Sequence, residues 1–291
     1  MHAEEKEDTR SPGPREKPKR KDANLTGYGT MIENPDVIRL CTELGMSRQD
    51  VWQLRKEFND EDSDSTDTIT LTSFFFLIQE QNRDLTKALL RLAVKEGDQP
   101  PTRRLTFDEY LRCVVTFSSF TEIQVFQFFF QVYADITQQR SGGTTVITVG
   151  EDELVQLSQD LQMLQFAFAG NIQVAQAHFA PPSASPIGTS MENWTFTDFE
   201  SFARQHRVAF YPLIRVQHNV RRAGGFSDGY WAKRIKERQV LAHVLTYMKK
   251  NHGLLPKLPW RDRIWSAVMQ NPTTVKRVHD RAKNFYMSSQ Q

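Results

Sequence analysis

One short motif occurs four times in this chain of 291 residues, and it constrains the fold more than any single residue does. Each copy begins with an apolar residue, ends with an apolar or aromatic residue, and is followed by a helical pattern. The copies are Ile69–Phe74, Leu105–Tyr110, Val149–Leu154 and Trp194–Phe199, and they start 36, 44 and 45 residues apart. Self-similarity at this spacing predicts a repeated helix–loop–helix unit.

The order of residues within the motif has a physical explanation. The apolar residue at its start predicts a very short strand that pairs with the neighbouring copy, Ile69 with Leu105 and Val149 with Trp194. The hydroxyl that often follows can cap the next helix or bind a metal ion. An acid in the fifth place lies near the positive end of that helix. Because one helix–loop–helix unit cannot bury its apolar face alone, we expect the units to pair.

The composition is typical of a folded globular protein. Hydrophobic residues make up 39% of the chain and charged residues 25%. No run of eighteen apolar residues predicts a membrane span, and we see no secretory signal. The two cysteines, Cys41 and Cys113, lie among apolar helix residues, so we expect buried thiols, a reducing compartment and a cytoplasmic location.

Composition divides the chain into four segments. We predict a disordered charged tail at 1–30, an N-terminal pair of units at 31–118, a second pair at 119–222 and a basic helical extension at 223–291. The tail carries a basic cluster, Arg15–Lys21, which we interpret as solvated; an acidic surface or a nuclear address are the alternatives.

Two helices are predicted before the first motif. The first runs from Pro35 to about Leu44. The second follows Ser47, which forms a variant capping box with Asp50. Apolar residues at three- and four-residue spacing then define one face of the second helix: Val51, Leu54 and Phe58.

The motifs resemble the loop exits of EF-hands, in the calcineurin-B and neuronal-calcium-sensor branch. The most similar segment is Thr116–Asp135, a Phe-rich helix that would enter the third hand. Phe196–Phe202, followed by Tyr211–Arg215, is similar to the end of the fourth hand. The resemblance covers residues 47 to 222. It implies a mainly α fold, with two pairs of EF-hand-like helix–loop–helix units plus a C-terminal helical extension.

The resemblance also implies a calcium loop before each exit. Such a loop offers oxygens at positions 1, 3, 5, 7 and 9 and a bidentate Glu at 12, with Gly at 6. In the first loop the candidate ligands stand at positions 1, 3, 5 and 9: Asp62, Asp64, Thr66 and Thr70. However, position 6 is Asp67 and position 12 is Ser73. A solvated acidic loop is therefore the favoured interpretation, with weak calcium binding as the alternative, and no other cofactor is expected.

The other three loops depart further from the pattern. The second, Asp98–Glu109, has acidic ends but carries Pro100 and Arg103 between them. The third, Asp135–Glu153, has 19 residues where the pattern has twelve. The fourth offers only Asp198 at its end. We expect little or no metal binding at these three loops.

Positive charge is concentrated at the C-terminal end. The net charge is +2, yet residues 221–291 hold 15 Lys/Arg and 4 Asp/Glu. A basic helix is predicted from Tyr230 to about Asn251. We expect it either to dock on the acidic body of its own chain or to pack as an ordinary core helix, and an acidic external partner is also compatible. Aromatic residues beyond it could contact a partner: Trp260, Trp265, Phe285 and Tyr286.

No catalytic pattern is present. The seven histidines form no zinc motif, and the sequence has no phosphate-binding glycine loop and no nucleophile elbow. We therefore expect a non-catalytic scaffold or interaction protein, largely independent of calcium. Its partner would be a protein helix or an acidic protein surface such as tubulin, in a cytoskeletal assembly such as an axoneme; nucleic acid is disfavoured. The alternative is a calcium sensor or a regulatory subunit of a phosphatase or kinase.

Overall fold

The computed structural model describes residues 27–134, 147–162, 194–262, 264 and 273–288. Over these residues the protein is mainly α-helical, as predicted. Up to residue 134 the elements are α1 (Pro35–Leu44), α2 (Arg48–Glu61), β1 (Thr68–Thr70), α3 (Leu71–Leu77), α4 (Asp84–Lys87), β2 (Arg104–Thr106), α5 (Phe107–Ser118) and α6 (Glu122–Ala134). They are followed by α7 (Glu151–Gln162), α8 (Phe196–Gln205), α9 (Arg207–Arg222), α10 (Asp228–Lys250) and α11 (Thr274–Ser288).

The four motif copies pair at their first residues. Strands β1 and β2 are antiparallel, with Ile69 opposite Leu105. Val149 and Trp194 form an isolated antiparallel bridge, with N–O distances of 3.0 and 2.9 Å between their backbones. Each bridge thus ties two loops that are far apart in sequence, at the residues that the sequence predicts.

Local signals set the first two helices at the predicted places. Asn34 caps α1, and Gly45 ends it in the left-handed conformation at a φ of 68°. Ser47 and Asp50 form the capping box of α2, with Asp50 accepting from the Ser47 backbone at 2.7 Å. The apolar face of α2 is fully buried: Val51, Leu54 and Phe58.

One apolar core contains side chains of both predicted pairs of units. Edge-on aromatic contacts run through it, such as Phe58 with Phe107 at 5.3 Å between ring centroids. The Phe-rich helices α3 and α6 supply much of this core, although Phe76 is 70% exposed.

Helices α5 and α6 contribute many buried side chains to this core. In the described part of the chain no single helix has the length and apolar composition needed to cross a membrane. Only α5 and α6 taken together reach that composition, and they are bent by 120°. Most of their apolar side chains are buried inside the protein.

Helices α10 and α11 form the C-terminal helix pair, which has a small core of its own. That core contains Leu241, Val244, Met248, Val278 and Ala282. The two helices run in the same direction, since residues 232–240 of α10 line one groove with the first turns of α11, and Gly253, after α10, lies against Tyr286 near the end of α11. Phe285 and Tyr286 pack partly buried against this core, whereas Trp260 is 66% exposed. Trp265 lies outside the described residues.

Candidate functional site

The first loop, which follows α2, is closed by its own backbone. Asp62 ends α2, and its two carboxylate oxygens accept from the N–H groups of Thr66 at 3.1 Å and Asp67 at 2.8 Å. Asp67 adopts a φ of 59°, in the left-handed region that the EF-hand pattern assigns to glycine at this place. Its carboxylate is paired with Arg55. Asp67 therefore takes a left-handed turn conformation although it is not a glycine.

Arg104, from the opposite strand β2, lies over the oxygens of this loop. Its Nη2 atom is 2.7 Å from Asp64 Oδ1, 3.0 Å from Thr66 Oγ1 and 2.9 Å from the carbonyl oxygen of Thr68. Its Nε atom donates to Thr68 Oγ1 at 2.7 Å. The side chains at positions 3 and 5 and the carbonyl at position 7 are those that an EF-hand loop offers to calcium. A guanidinium group thus engages the oxygens that the ion would use.

Strand pairing explains how Arg104 reaches the first loop. The register places Arg104 opposite Thr70, and Leu105 opposite Ile69. Neighbouring residues of a strand point to opposite faces, so Arg104 points away from the core that Leu105 enters. The Arg104 guanidinium then holds the pKa of Asp64 below its ordinary value of 3.8. Arg104 carries no signal as a loop partner in the sequence, because the residues it contacts are 36 to 40 positions away.

The predicted ligands of the first loop do not all come together. Asp62, Asp64 and Thr66 form one hydrogen-bonded network. Thr70 serves another purpose, since its hydroxyl accepts from the Ser73 backbone at 3.1 Å and caps α3. Because Arg104 holds the oxygens at positions 3, 5 and 7 and Ser73 provides no carboxylate at position 12, these residues do not fit a calcium ion.

The acids at the ends of the other loops accept from their own helix starts. Glu109 accepts from the Thr106 backbone at 2.7 Å, and Asp198 accepts from the Thr195 backbone at 3.0 Å. Glu153 accepts from the Gly150 backbone at 2.9 Å. These contacts place the acids back against the helix N-terminus, which they stabilise by capping. Asp135, the first acid of the third loop, lies outside the described residues.

Trp231 attaches the C-terminal helix pair to the rest of the protein. Its side chain is fully buried in the main apolar core, and its indole N–H donates to the carbonyl of Arg221 at 2.9 Å. Just before it, Gly224 donates its N–H to Glu57 of α2 at 2.7 Å. An additional Cβ at Gly224 would lie 2.8 Å from Leu54, so the connection between α9 and α10 needs glycine there.

An ionic network extends this attachment. Glu237 of α10 is 5% exposed and accepts from Arg234 at 3.3 Å and from Arg281 of α11 at 3.4 Å. Arg234 also reaches Asp50, in the first turn of α2, at 3.4 Å. The basic helix α10 therefore lies on the body of its own chain, at an acid that also caps α2.

Among the described residues, no group of three or more His, Cys, Asp or Glu side chains is arranged to hold a metal ion. Cys41 and Cys113 are buried free thiols, as predicted, and burial raises the pKa of Cys41 to about 12. No protein-family model and no curated protein sequence matches this chain.

Proposed function

We propose that this chain is a non-catalytic interaction protein, in which EF-hand-like pairs act as a scaffold that does not require calcium. The bridges Ile69–Leu105 and Val149–Trp194, each between a loop and the next, support the EF-hand-like pairing. One observation carries the proposal: Arg104 engages the oxygens of the first loop that a calcium ion would need.

The chemistry of arginine makes this arrangement independent of calcium. A guanidinium group stays protonated at all physiological pH values. Arg104 therefore remains a positively charged partner of the loop whatever the calcium concentration. A calcium ion at the same oxygens would lie beside a positive charge and would have to displace the guanidinium. Burial of Ile69 and Leu105 holds the two loops together, since apolar burial contributes about 25 cal/mol per Å² with no ion present.

Calorimetric titration of the full chain with calcium tests the proposal. We expect no binding in the micromolar range, either for the unaltered protein or for Asp62→Ala. Micromolar binding that Asp62→Ala abolishes would overturn the proposal and support a calcium sensor, or a regulatory subunit of a phosphatase or kinase.

A variant designed to gain calcium binding tests whether Arg104 is the cause of the calcium independence. Arg104→Ala frees the loop oxygens, and Ser73→Glu supplies the missing carboxylate at position 12. We expect the double variant to bind calcium with a Kd of roughly 10⁻⁴–10⁻³ M, in the range of weak EF-hand-type modules. Ser73→Glu alone is the control. If it binds calcium as tightly as the double variant, Arg104 is not the group that keeps the ion out.

The proposal extends to an acidic protein partner within a cytoskeletal assembly, with tubulin as the candidate. The exposed lysines of α10 support this, for example Lys233 and Lys236. Co-sedimentation with microtubules at increasing salt is the measurement. Binding that weakens as salt rises is expected, because exposed charges are screened within about 10 Å at 0.1 M salt. No pelleting at low salt would exclude tubulin, although it would leave the scaffold function open.

A further inference from the structure

A groove runs between residues 232–240 of α10 and the first turns of α11, on the C-terminal helix pair. It has a volume of about 560 Å³ and is open to solvent. Its floor is mainly apolar and is formed by Ala232, Val240, Val275 and Val278. The apolar side chain of Val240 is 38% exposed to solvent. The groove is thus a largely apolar surface without a full cover among the described residues.

Two lysines define one side of this groove. Lys233 and Lys236 line it and are both exposed. Within the described part of the chain, no carboxylate oxygen lies within 4.0 Å of either ammonium group. Glu237, the acid that also lines the groove, is already held by Arg234 and Arg281. The groove therefore presents two positive charges beside an apolar surface, and its carboxylate, Glu237, is already paired with arginines.

We propose that this groove binds a helix of a partner protein, with apolar side chains on one face and acidic residues beside them. This inference rests on the proposed function as an interaction protein and names the class of its partner. A third helix fits between two neighbouring helices, at the usual axial distances of about 8–10 Å. Its apolar residues would cover Val240 and Val275, and its acidic residues would pair with Lys233 and Lys236. This is the helix-in-groove mode of protein recognition.

The charge pattern decides which kind of helix fits. The described helices α10 and α11 together hold ten Lys/Arg and three Asp/Glu. Complementary charge mainly raises the association rate and selects against wrong partners, while the apolar floor provides the affinity. A basic helix would be repelled by Lys233 and Lys236, and a purely acidic chain without apolar residues would leave Val240 and Val275 exposed.

Fluorescence anisotropy with a synthetic peptide tests this inference on the full-length protein. The probe is a fluorescein-labelled helical peptide with leucines on one face and glutamates on its flanks. Two reference peptides are used: one with the same composition in scrambled order, and one with lysine in place of glutamate. We expect the first peptide to bind and both references to bind at least about tenfold more weakly.

Matched variants locate the binding site. Lys233→Glu/Lys236→Glu reverses the charge beside the groove, and Lys249→Glu/Lys250→Glu makes the same change at the far end of α10. All four lysines are exposed, so both variants should fold, which circular dichroism checks. We expect affinity for the peptide to fall about tenfold or more in the first variant and less than about threefold in the second. Val240→Asp should also weaken binding, because it places a charge on the apolar floor.

Several results would overturn the inference. They are absence of peptide binding, equal loss in both lysine variants, and equal binding of the scrambled peptide. Binding to phosphatidylserine vesicles with the same dependence on Lys233 and Lys236, but no binding to the peptide, would assign the surface to a membrane. The calcium titration reports only on the first loop, whereas the peptide assay reports only on the groove. A failed groove proposal is therefore distinguishable from a failed proposal of calcium independence.

Discussion

Ile69 and Leu105 face each other across β1 and β2, and both are fully buried. Their pairing joins the first two loops and aligns Arg104 with the oxygens of the first loop. Because adjacent strand residues point to opposite faces, burial of Leu105 itself turns Arg104 towards Asp64. One strand pair thus buries Ile69 and Leu105 on one face and pairs Arg104 with Asp64 on the other.

Truncation of this contact should weaken the whole fold. We expect Ile69→Ala to lower the free energy of unfolding by about 2–5 kcal/mol, because it leaves a cavity where Ile69 is fully buried. Urea denaturation followed by circular dichroism is the measurement. Ile123→Ala is the matched control, since Ile123 is 40% exposed and its loss should cost about 0.5 kcal/mol or less. Equal effects of the two changes would contradict a packing role for the strand pair.

Removal of Arg104 should have an effect that depends on pH. The pKa of Asp64 is lowered in the folded state, so its stabilising contact is present above about pH 3.8 and is lost as the pH falls below it. We expect Arg104→Gln to lower the melting temperature at pH 7, and the difference from the unaltered protein to shrink towards about pH 2.

The neighbouring arginine provides the control for this prediction. Arg103 is exposed, and within the described residues its side chain forms no hydrogen bond or ion pair with the first loop, so Arg103→Gln should leave the melting temperature nearly unchanged at every pH. A pH-independent difference for Arg104→Gln would show that its ion pair with Asp64 does not stabilise the loop.

Trp231 should be the main anchor of the C-terminal helix pair. We expect Trp231→Ala to lower the free energy of unfolding by about 3–5 kcal/mol, because the side chain is fully buried. We also expect faster proteolysis between α9 and α10, because the indole hydrogen bond to the Arg221 carbonyl is lost. Trp260→Ala removes a side chain that is 66% exposed, and it should change stability by about 0.5 kcal/mol or less. Similar proteolysis of both variants would mean that Trp231 does not hold the pair in place.

The contact between Glu237 and Arg281 should be worth more than a surface ion pair. In a double-mutant cycle with Glu237→Gln and Arg281→Gln, we expect a coupling energy of about 1–3 kcal/mol, since Glu237 is 5% exposed. The same cycle for Glu200 and Arg204, where Arg204 is 55% exposed, should give about 0.3–0.5 kcal/mol. Coupling at Glu237 no larger than at Glu200 would rule out a buried network as the link between α10 and α11.

The local elements were predictable because their signals lie within a few residues. Asn34, Pro35 and Gly45 bound α1, and Ser47 with Asp50 starts α2. The first residue of each motif copy also indicated the loop pairing, since an apolar residue in a polar loop needs a buried partner. The predicted helices at Pro35–Leu44 and after Ser47 are present, and the predicted loop contacts are present as backbone bridges between Ile69 and Leu105 and between Val149 and Trp194.

The sequence alone determined the mainly helical fold, the helix caps and the residues at which the loops pair, because hydrophobic periodicity and capping act over a few positions. Only the tertiary structure decided what the first loop holds. Asp64 and Arg104 are 40 residues apart, and a strand register must form before their charges meet. The same is true of Glu237 and Arg281, which are 44 residues apart and meet only when two helices have packed. Electrostatic partners are selected by distance in space, and this distance is fixed only once the apolar core has formed.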